Sequence, residues 1–209
     1  METLNYRRLK VYGPVLRLIH AWNGLAILFL IMTVWLSELF EKGAADDALW
    51  HMHIYLGYAL VLGIVARLAW GLAGPSHASF SDMWHPAAWW YAVRNFELHA
   101  KPHFGHNTLA SGIYLLVYVL LCSMAATGLS LAAIEHSMGP LDLWIGDMAW
   151  LKDIFEEPHE VIYYLLMGFV VMHIAALIWH EWRDKTPLAQ SMISGYQYQI
   201  NQVKGNENA

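Results

Sequence analysis

The chain carries little charge for its length. Of its 209 residues only 14% are charged, whereas 57% are hydrophobic and the mean hydropathy is +0.34. An ordinary soluble domain has about 25% charged residues, so this composition argues against that class and predicts an integral membrane protein. Residues 1–14 are polar and basic and contain no cleavable apolar stretch. We therefore expect the first apolar segment to stay in the membrane.

Cysteine is almost absent, with Cys122 as the single example. One cysteine excludes an intrachain disulfide and any cluster of thiolates around a metal. The sequence Cys-x-x-Cys-His is missing, which excludes covalently attached c-type haem. A phosphate-binding nucleotide loop is also missing.

Four long apolar segments dominate what is present. They cover residues 15–36, 49–72, 108–133 and 158–182. Each has about 20 residues or more, enough for an α-helix to cross a hydrocarbon layer of about 30 Å. The predicted fold is all-α, an integral membrane four-helix bundle within residues 1–190, and residues 191–209 form a polar tail. Between the second and third segments, residues 86–98 predict a short amphipathic helix at the headgroup level.

The basic residues predict the orientation of the bundle. Ten of the twelve lysines and arginines fall on the side of the two termini. These ten are Arg7, Arg8, Lys10, Arg17, Arg67, Arg94, Lys101, Arg183, Lys185 and Lys204. Only Lys42 and Lys152 fall on the other side, together with eleven of the seventeen acidic residues. The positive-inside rule then places both termini in the cytoplasm and gives the protein an acidic outer face. That acidic face could steer a basic redox partner, or simply be a solvated surface.

The fourth segment contains histidines in a spacing that suggests two metal centres. His159 and His173 are fourteen residues apart. At about 100° and 1.5 Å per residue, an α-helix brings both side chains to nearly the same face, about 21 Å apart. Two imidazoles at opposite depths on one membrane helix indicate two stacked centres, one near each surface.

The partners of these two histidines follow from depth. His20 lies near the cytoplasmic edge of the first segment and pairs with His173. His53, or alternatively His51, lies near the outer edge of the second segment and pairs with His159. His51 and His53 are about 200° apart on a helix, so both cannot face one centre; we favour His53. Ionisable groups inside a membrane are costly and usually functional, which favours ligation over simple hydrogen bonding.

Two facing imidazoles at each depth are the arrangement by which a helical bundle holds a b-type haem. Gly24 and Gly57 follow His20 and His53 by four residues, which leaves room for a flat porphyrin, although small residues also let helices pack closely. Zinc would require three or four ligands in a tetrahedron, which two distant pairs do not supply. A membrane anchor without haem is the alternative from another class, and it predicts no haem absorption.

Several motifs resemble the bacterial cytochrome b561 superfamily. They are Leu-Arg-Leu-Ile-His-Ala-Trp at residues 16–22, His-Ile-Tyr-Leu-Gly at 53–57, Ala-Arg-Leu-Ala-Trp-Gly at 66–71, Gly-His-Asn at 105–107 and the fourteen-residue histidine spacing. Within that superfamily the chain is most similar to the b-type subunits of nickel–iron hydrogenases and of membrane formate dehydrogenases. The resemblance covers all four helices.

The resemblance implies an electron-transfer subunit with two b haems held by His20, His53, His159 and His173. A periplasmic redox enzyme or cytochrome would deliver electrons to the outer haem, and quinone would be reduced near the cytoplasmic surface. Candidates for binding quinone or the haem propionates are Arg17, Arg67, His106 and Asn107. The chain has no catalytic residues for oxidising the primary substrate, so that chemistry belongs to a partner and a cofactor.

A second interpretation within the same superfamily is a freestanding cytochrome b561. Such a protein would take electrons from a small periplasmic reductant such as superoxide and pass them to quinone. Co-purification of a large periplasmic partner distinguishes the two interpretations. The oligomeric state is open, a homo-oligomer included, and no nucleic-acid partner is expected.

Overall fold

The computed structural model describes residues 6–75, 79–95, 108–184 and 188–200. In chain order its elements are β1 (Tyr6–Lys10), α1 (Pro14–Ser37), α2 (Ala44–Ala73), α3 (Pro86–Asn95), α4 (Thr108–His136), α5 (Asp142–Ile145), α6 (Lys152–Asp184), α7 (Leu188–Ser194) and β2 (Tyr196–Ile200). Single 3₁₀ turns at Phe80–Met83 and Ala149–Leu151 precede α3 and α6. The helices α1, α2, α4 and α6 are long and apolar enough to cross a membrane, which confirms the four predicted spans.

Two of these helices begin earlier than the apolar segments predicted. Helix α2 begins at Ala44 and carries Asp46 and Asp47 in its first turn, where carboxylates interact favourably with the helix dipole. Helix α6 begins at Lys152 and continues through Pro158. Proline lacks the N–H that would bond the carbonyl four residues earlier, and its exposed position near the helix start allows water to replace that bond. Apolar runs mark the hydrocarbon layer, whereas helices extend beyond it.

The long helices pack as two antiparallel pairs, α1 with α2 and α4 with α6, and α2 also contacts α4. The buried core is a cluster of Ala26, Leu60, Ile64, Leu121 and Leu166. Many other large apolar side chains are exposed along the helices, as expected where lipid takes the place of a protein core. The bundle therefore has a small apolar core and a largely apolar outer surface.

Close approach of α1 and α2 depends on a small residue. A methyl group added at Gly63 would overlap the side chains of Asn23 and Trp22. At the same contact, the indole N–H of Trp22 donates a hydrogen bond of 2.8 Å to the carbonyl of Ala59. Small residues at helix contacts are typical of membrane bundles because they let backbones approach.

A small sheet joins the two ends of the described chain, a feature that the all-α prediction did not include. Strands β1 and β2 pair antiparallel, with Tyr6 opposite Ile200. The N–H groups of Val11 and Tyr12 donate to the carbonyl of Gly195 at 2.9 and 3.2 Å, and Gly195 has a φ of +84° that favours glycine. The predicted polar tail is therefore structured up to residue 200.

This sheet defines two ends of the bundle. The end with β1 and β2 is called the terminal end, and the opposite end, with the α1–α2 and α4–α6 connections, is called the far end. At the terminal end, Arg17 of α1 donates a hydrogen bond to the carbonyl of Ile193 in α7. Helix α3 also packs against α4 at this end. The predicted amphipathic helix over residues 86–98 appears as α3, and residues 96–98 lie outside the described part of the chain.

Candidate functional site

The far half of the bundle encloses a cavity shared by all four long helices. Its volume is about 380 Å³, within the range of ligand pockets. His53 of α2 and His159 of α6 both line it, as do Gly57 and Gly128. Most of the remaining wall is aliphatic, contributed by α1, α2, α4 and α6. The structure thus brings one predicted histidine pair to a common apolar space.

Both histidines of this pair are held by threonines. Nδ1 of His53 lies 2.9 Å from the hydroxyl oxygen of Thr33 on α1. Nδ1 of His159 lies 2.9 Å from the hydroxyl oxygen of Thr127 on α4. Each imidazole is therefore anchored through one ring nitrogen to a neighbouring helix, which leaves Nε2 of each ring for another bond.

The sequence analysis missed these two threonines. The available signal was a hydroxyl at the depth of a histidine in an otherwise apolar helix. Thr33 is buried, with 2% of its surface exposed, and a buried hydroxyl in a membrane helix requires a partner. That signal does not say which histidine the hydroxyl reaches, because helix rotation and neighbour order decide it.

The second predicted pair meets near the terminal end. The rings of His20 on α1 and His173 on α6 have centroids 6.4 Å apart and an interplanar angle of 65°. A metal bound to one nitrogen of each ring, with bonds of about 2.0–2.1 Å, would put the centroids about 6 Å apart. The separation of the rings therefore suits a shared metal. Phe169 stacks on His173, with centroids 5.7 Å apart and planes 20° apart.

His51 faces away from the far-end cavity. Its ring lies 5.9 Å from that of His136, and its Nδ1 is 2.7 Å from the backbone carbonyl of Asp47. The side chain is exposed and is not part of the cavity wall. Of the two neighbouring histidines, only His53 lines the cavity that His159 also lines.

The two arginine candidates both lie toward the terminal end. Arg67 is buried, with 5% of its surface exposed, and its Nε donates a 3.0 Å hydrogen bond to the hydroxyl of Tyr118. Its guanidinium carbon lies 4.6 Å from the ring centroid of Phe80 and 5.1 Å from that of Tyr118. These contacts compensate a buried cation with aromatic faces and a hydroxyl. His106 and Asn107 lie outside the described residues.

The spacing along α2 agrees with the depth at which Arg67 was predicted. Arg67 follows His53 by fourteen residues on α2, as His173 follows His159 on α6. The same helical arithmetic puts Arg67 below His53 on one face, at the depth of the terminal-end histidines.

The arrangement fits a b-type haem. Within the described ranges, no three His, Cys, Asp or Glu side chains are grouped so as to hold a metal ion. Haem supplies its own four equatorial nitrogens and needs only axial ligands from the protein, which the facing imidazoles can provide. A methyl group added at Gly24 or at Gly57 would meet no heavy atom within 4 Å, so open space adjoins one histidine of each pair. Donor set, apolar lining and space therefore agree with haem.

Comparison with known proteins supplies the family. Residues 11–195 match the family described as prokaryotic cytochrome b561. The chain is 24% identical to a probable Ni/Fe-hydrogenase B-type cytochrome subunit of Azotobacter vinelandii, over 89% of this chain and 87% of that protein. It is 24% identical to the protein so described in Cupriavidus necator, over 89% and 85%, and 25% identical to that of Bradyrhizobium diazoefficiens, over 88% and 84%. No solved structure matches the chain.

These matches cover nearly the whole described bundle, and they agree with four apolar helices that carry facing histidines. The family implies b-type haem and electron transport. The chain belongs to the prokaryotic cytochrome b561 family and is a membrane cytochrome b that functions in electron transfer.

Proposed function

We propose that the chain binds two b haems, one at each end of the bundle, and passes electrons across the membrane from a hydrogenase-like partner to quinone. The observation that carries this proposal is that two imidazoles from different helices come together at each of two depths. His53 and His159 line one apolar cavity, and His20 and His173 face each other at 6.4 Å. When bound, each haem supplies a one-electron carrier.

The protein's own contribution is to hold the four imidazoles and to exclude water. Helix α6 provides one ligand of each pair, while α1 and α2 provide the other two. Because α1 and α2 are antiparallel, His20 near the start of α1 and His53 in the first half of α2 lie at opposite ends of the bundle. Aliphatic side chains around the far-end pair keep its surroundings at low dielectric, which tunes the potential of a bound haem.

A partner enzyme follows from what the chain lacks and from its relatives. A single cysteine cannot hold a nickel–iron centre or an iron–sulfur cluster. The relatives are described as b-type cytochrome subunits of Ni/Fe-hydrogenase. We therefore assign the oxidation of the primary substrate to a periplasmic hydrogenase-like enzyme and the onward electron transfer to this chain.

The partner would dock at the far end, which faces the periplasm under the positive-inside rule. Four carboxylates border the far-end cavity, namely Glu38, Glu135, Glu156 and Glu160. Lys152 contacts Glu135 at 2.5 Å and Glu156 at 3.8 Å, which leaves the rim acidic overall. Such a rim would steer a basic surface of the partner toward the far-end haem.

Quinone would bind at the terminal end, on the cytoplasmic side. Arg67 is a buried donor beside Tyr118 and Phe80, and Arg17 lies at the same end. Guanidinium groups can bind haem propionates or donate to a quinone carbonyl. His106 and Asn107 are sequence candidates for the same role. By contrast, the charged side chains at the far-end rim are four carboxylates and Lys152, and ionised carboxylates cannot donate hydrogen bonds.

Single histidine replacements should separate the two haems. His53→Ala or His159→Ala should remove the far-end haem, and His20→Ala or His173→Ala the terminal-end haem. Each variant should fall from about two haems to about one per chain, because the remaining ligand alone holds haem weakly. Haem content and redox titration of the purified variants measure this.

The matched control for these replacements is His51→Ala, two residues from His53 but outside the cavity wall. This variant should keep both haems. Loss of the far-end haem from His51→Ala, or loss of the same haem from His20→Ala and His159→Ala, would contradict the proposed pairing.

Filling the space beside His53 should also exclude the far-end haem. In Gly57→Leu the added side chain meets no protein atom at its first carbon and projects into the cavity wall. We expect about half of the haem to be lost while the bundle still folds, since the terminal-end haem needs no part of this wall. The control is Gly168→Leu, whose position is exposed, has no atom within 4 Å and lies outside the cavity. Equal haem content in both variants would argue against a porphyrin beside Gly57.

Turnover should build a membrane potential. With the donor on the periplasmic side and quinone reduced at the cytoplasmic side, electrons cross inward and protons are taken up from the cytoplasm. Liposomes that contain the complex, quinone and a donor should become negative on the side of the quinone site, as a potential-sensitive dye records.

Replacement of Arg67 should affect the quinone step. Arg67→Leu should slow quinone reduction, whereas Arg67→Lys, which retains the charge, should slow it less. Electroneutral turnover, or full quinone reduction in His20→Ala, would place the quinone at the far end.

A further inference from the structure

The two threonines at the far end orient both histidines in the same way. Thr33 reaches His53 from α1 and Thr127 reaches His159 from α4, each at 2.9 Å from Nδ1. The two contacts come from different helices, yet each joins a threonine hydroxyl oxygen to Nδ1 of a histidine. Each hydroxyl also contacts a carbonyl of its own helix. The chemistry of a hydroxyl then decides which atom carries the hydrogen.

A hydroxyl has one hydrogen to donate and two lone pairs to accept with. The hydroxyl of Thr33 lies 2.7 Å from the carbonyl oxygen of Leu30, which can only accept. The hydroxyl of Thr127 lies 3.0 Å from the carbonyl oxygen of Ser123 and 3.1 Å from that of Met124. Each threonine therefore donates to its own backbone and must accept from the histidine, so the hydrogen of each imidazole is on Nδ1.

With the hydrogen on Nδ1, Nε2 of each ring keeps its lone pair and is the nitrogen available to bind iron. A hydrogen bond from Nδ1–H to an acceptor also makes a coordinating imidazole a stronger electron donor. A stronger donor stabilises ferric over ferrous iron and lowers the potential of the haem. Thr33 and Thr127 thus act on a bound haem through its ligands, without touching it.

The terminal-end pair is built differently. The rings of His20 and His173 contact each other, and Phe169 stacks on His173. Among the described residues, neither ring has a threonine contact of the kind seen at His53 and His159. A buried cation, Arg67, lies at this end instead. The threonine contacts are therefore a property of the far end and not of membrane histidines in this bundle generally.

We infer that Thr33 and Thr127 are positioning residues that set the tautomer of His53 and His159, strengthen the hold on the far-end haem and lower its midpoint potential. This inference rests on the proposed function, because it needs a haem between these two histidines. A lowered potential at the end where electrons enter favours onward transfer to the terminal end.

The test compares two replacements at each of the two threonines with one control variant. Thr33→Val and Thr127→Val keep the branched shape and remove the hydroxyl, whereas Thr33→Ser and Thr127→Ser keep the hydroxyl and remove a methyl group. Ser130→Ala is the control, because Ser130 is a buried hydroxyl on α4 that bonds the carbonyl of Ala126 at 2.9 Å and no histidine. The readouts are the midpoint potential of each haem in holoprotein, its ferric electron paramagnetic resonance signal and its rate of transfer to apomyoglobin.

In the valine variants the far-end haem should have a higher midpoint potential and leave about tenfold faster or more, the effect typical of losing a ligand's hydrogen-bond partner. The terminal-end haem should keep its potential and thereby report that the bundle is folded. The serine variants should resemble the unmodified protein, and Ser130→Ala should change neither haem. Outright loss of the far-end haem from valine variants that is restored in serine variants would also support the inference.

Two results would overturn it. Unchanged far-end potential and release rate in both valine variants would show that the hydroxyls are only satisfied core groups. Equal defects in valine and serine variants would show that packing, and not the hydroxyl, holds the rings. The histidine variants distinguish this failure from that of the proposed function, because His53→Ala would still remove the far-end haem if only the threonine inference were wrong.

Discussion

The bundle depends on the rigidity of one helix, α6, which presents two imidazoles fourteen residues apart on nearly the same face. A helix satisfies its own backbone hydrogen bonds, so it can cross the apolar layer and still hold two side chains at fixed depths. Each of those imidazoles needs a partner at its own depth. The antiparallel packing of α1 and α2 supplies one partner at each end, His20 and His53.

Two polar groups within this apolar bundle show how burial is compensated. The hydroxyl of Thr33 satisfies a backbone carbonyl and a histidine together, and Arg67 is buried among aromatic faces and a tyrosine hydroxyl. Burying an unpaired polar group in such surroundings costs roughly several kcal/mol. These contacts therefore stabilise the fold as well as serving the proposed function. The same contacts restrict the side chains, and under the proposed function they would fix the ligand geometry before haem binds.

The four spans and the histidine pairs were predictable from sequence because helical geometry and the membrane leave few alternatives. Apolar length predicted the four spans. Histidine depth predicted two pairs, and the structure places His20 beside His173 and puts His53 and His159 on one cavity. The angle of about 200° between His51 and His53 predicted that only one of them faces a given centre, and His53 is the one that lines the cavity. The contacts of Thr33 and Thr127 could not be predicted, since they depend on the rotation of α1 and α4 relative to their neighbours. The β1–β2 sheet was missed because its strands are about 190 residues apart, although β2 alternates Tyr196, Tyr198 and Ile200 with two glutamines, as a half-buried strand does.

The central claim is that two b haems are stacked in one four-helix chain. The most direct test is the number of haems per chain in protein purified in mild detergent, by pyridine haemochrome assay against a quantitative amino-acid analysis. The account predicts about two b-type haems per chain, both extractable with acidified acetone, because the four axial histidines supply two bis-imidazole sites. A value near one, or haem that resists extraction, would contradict it.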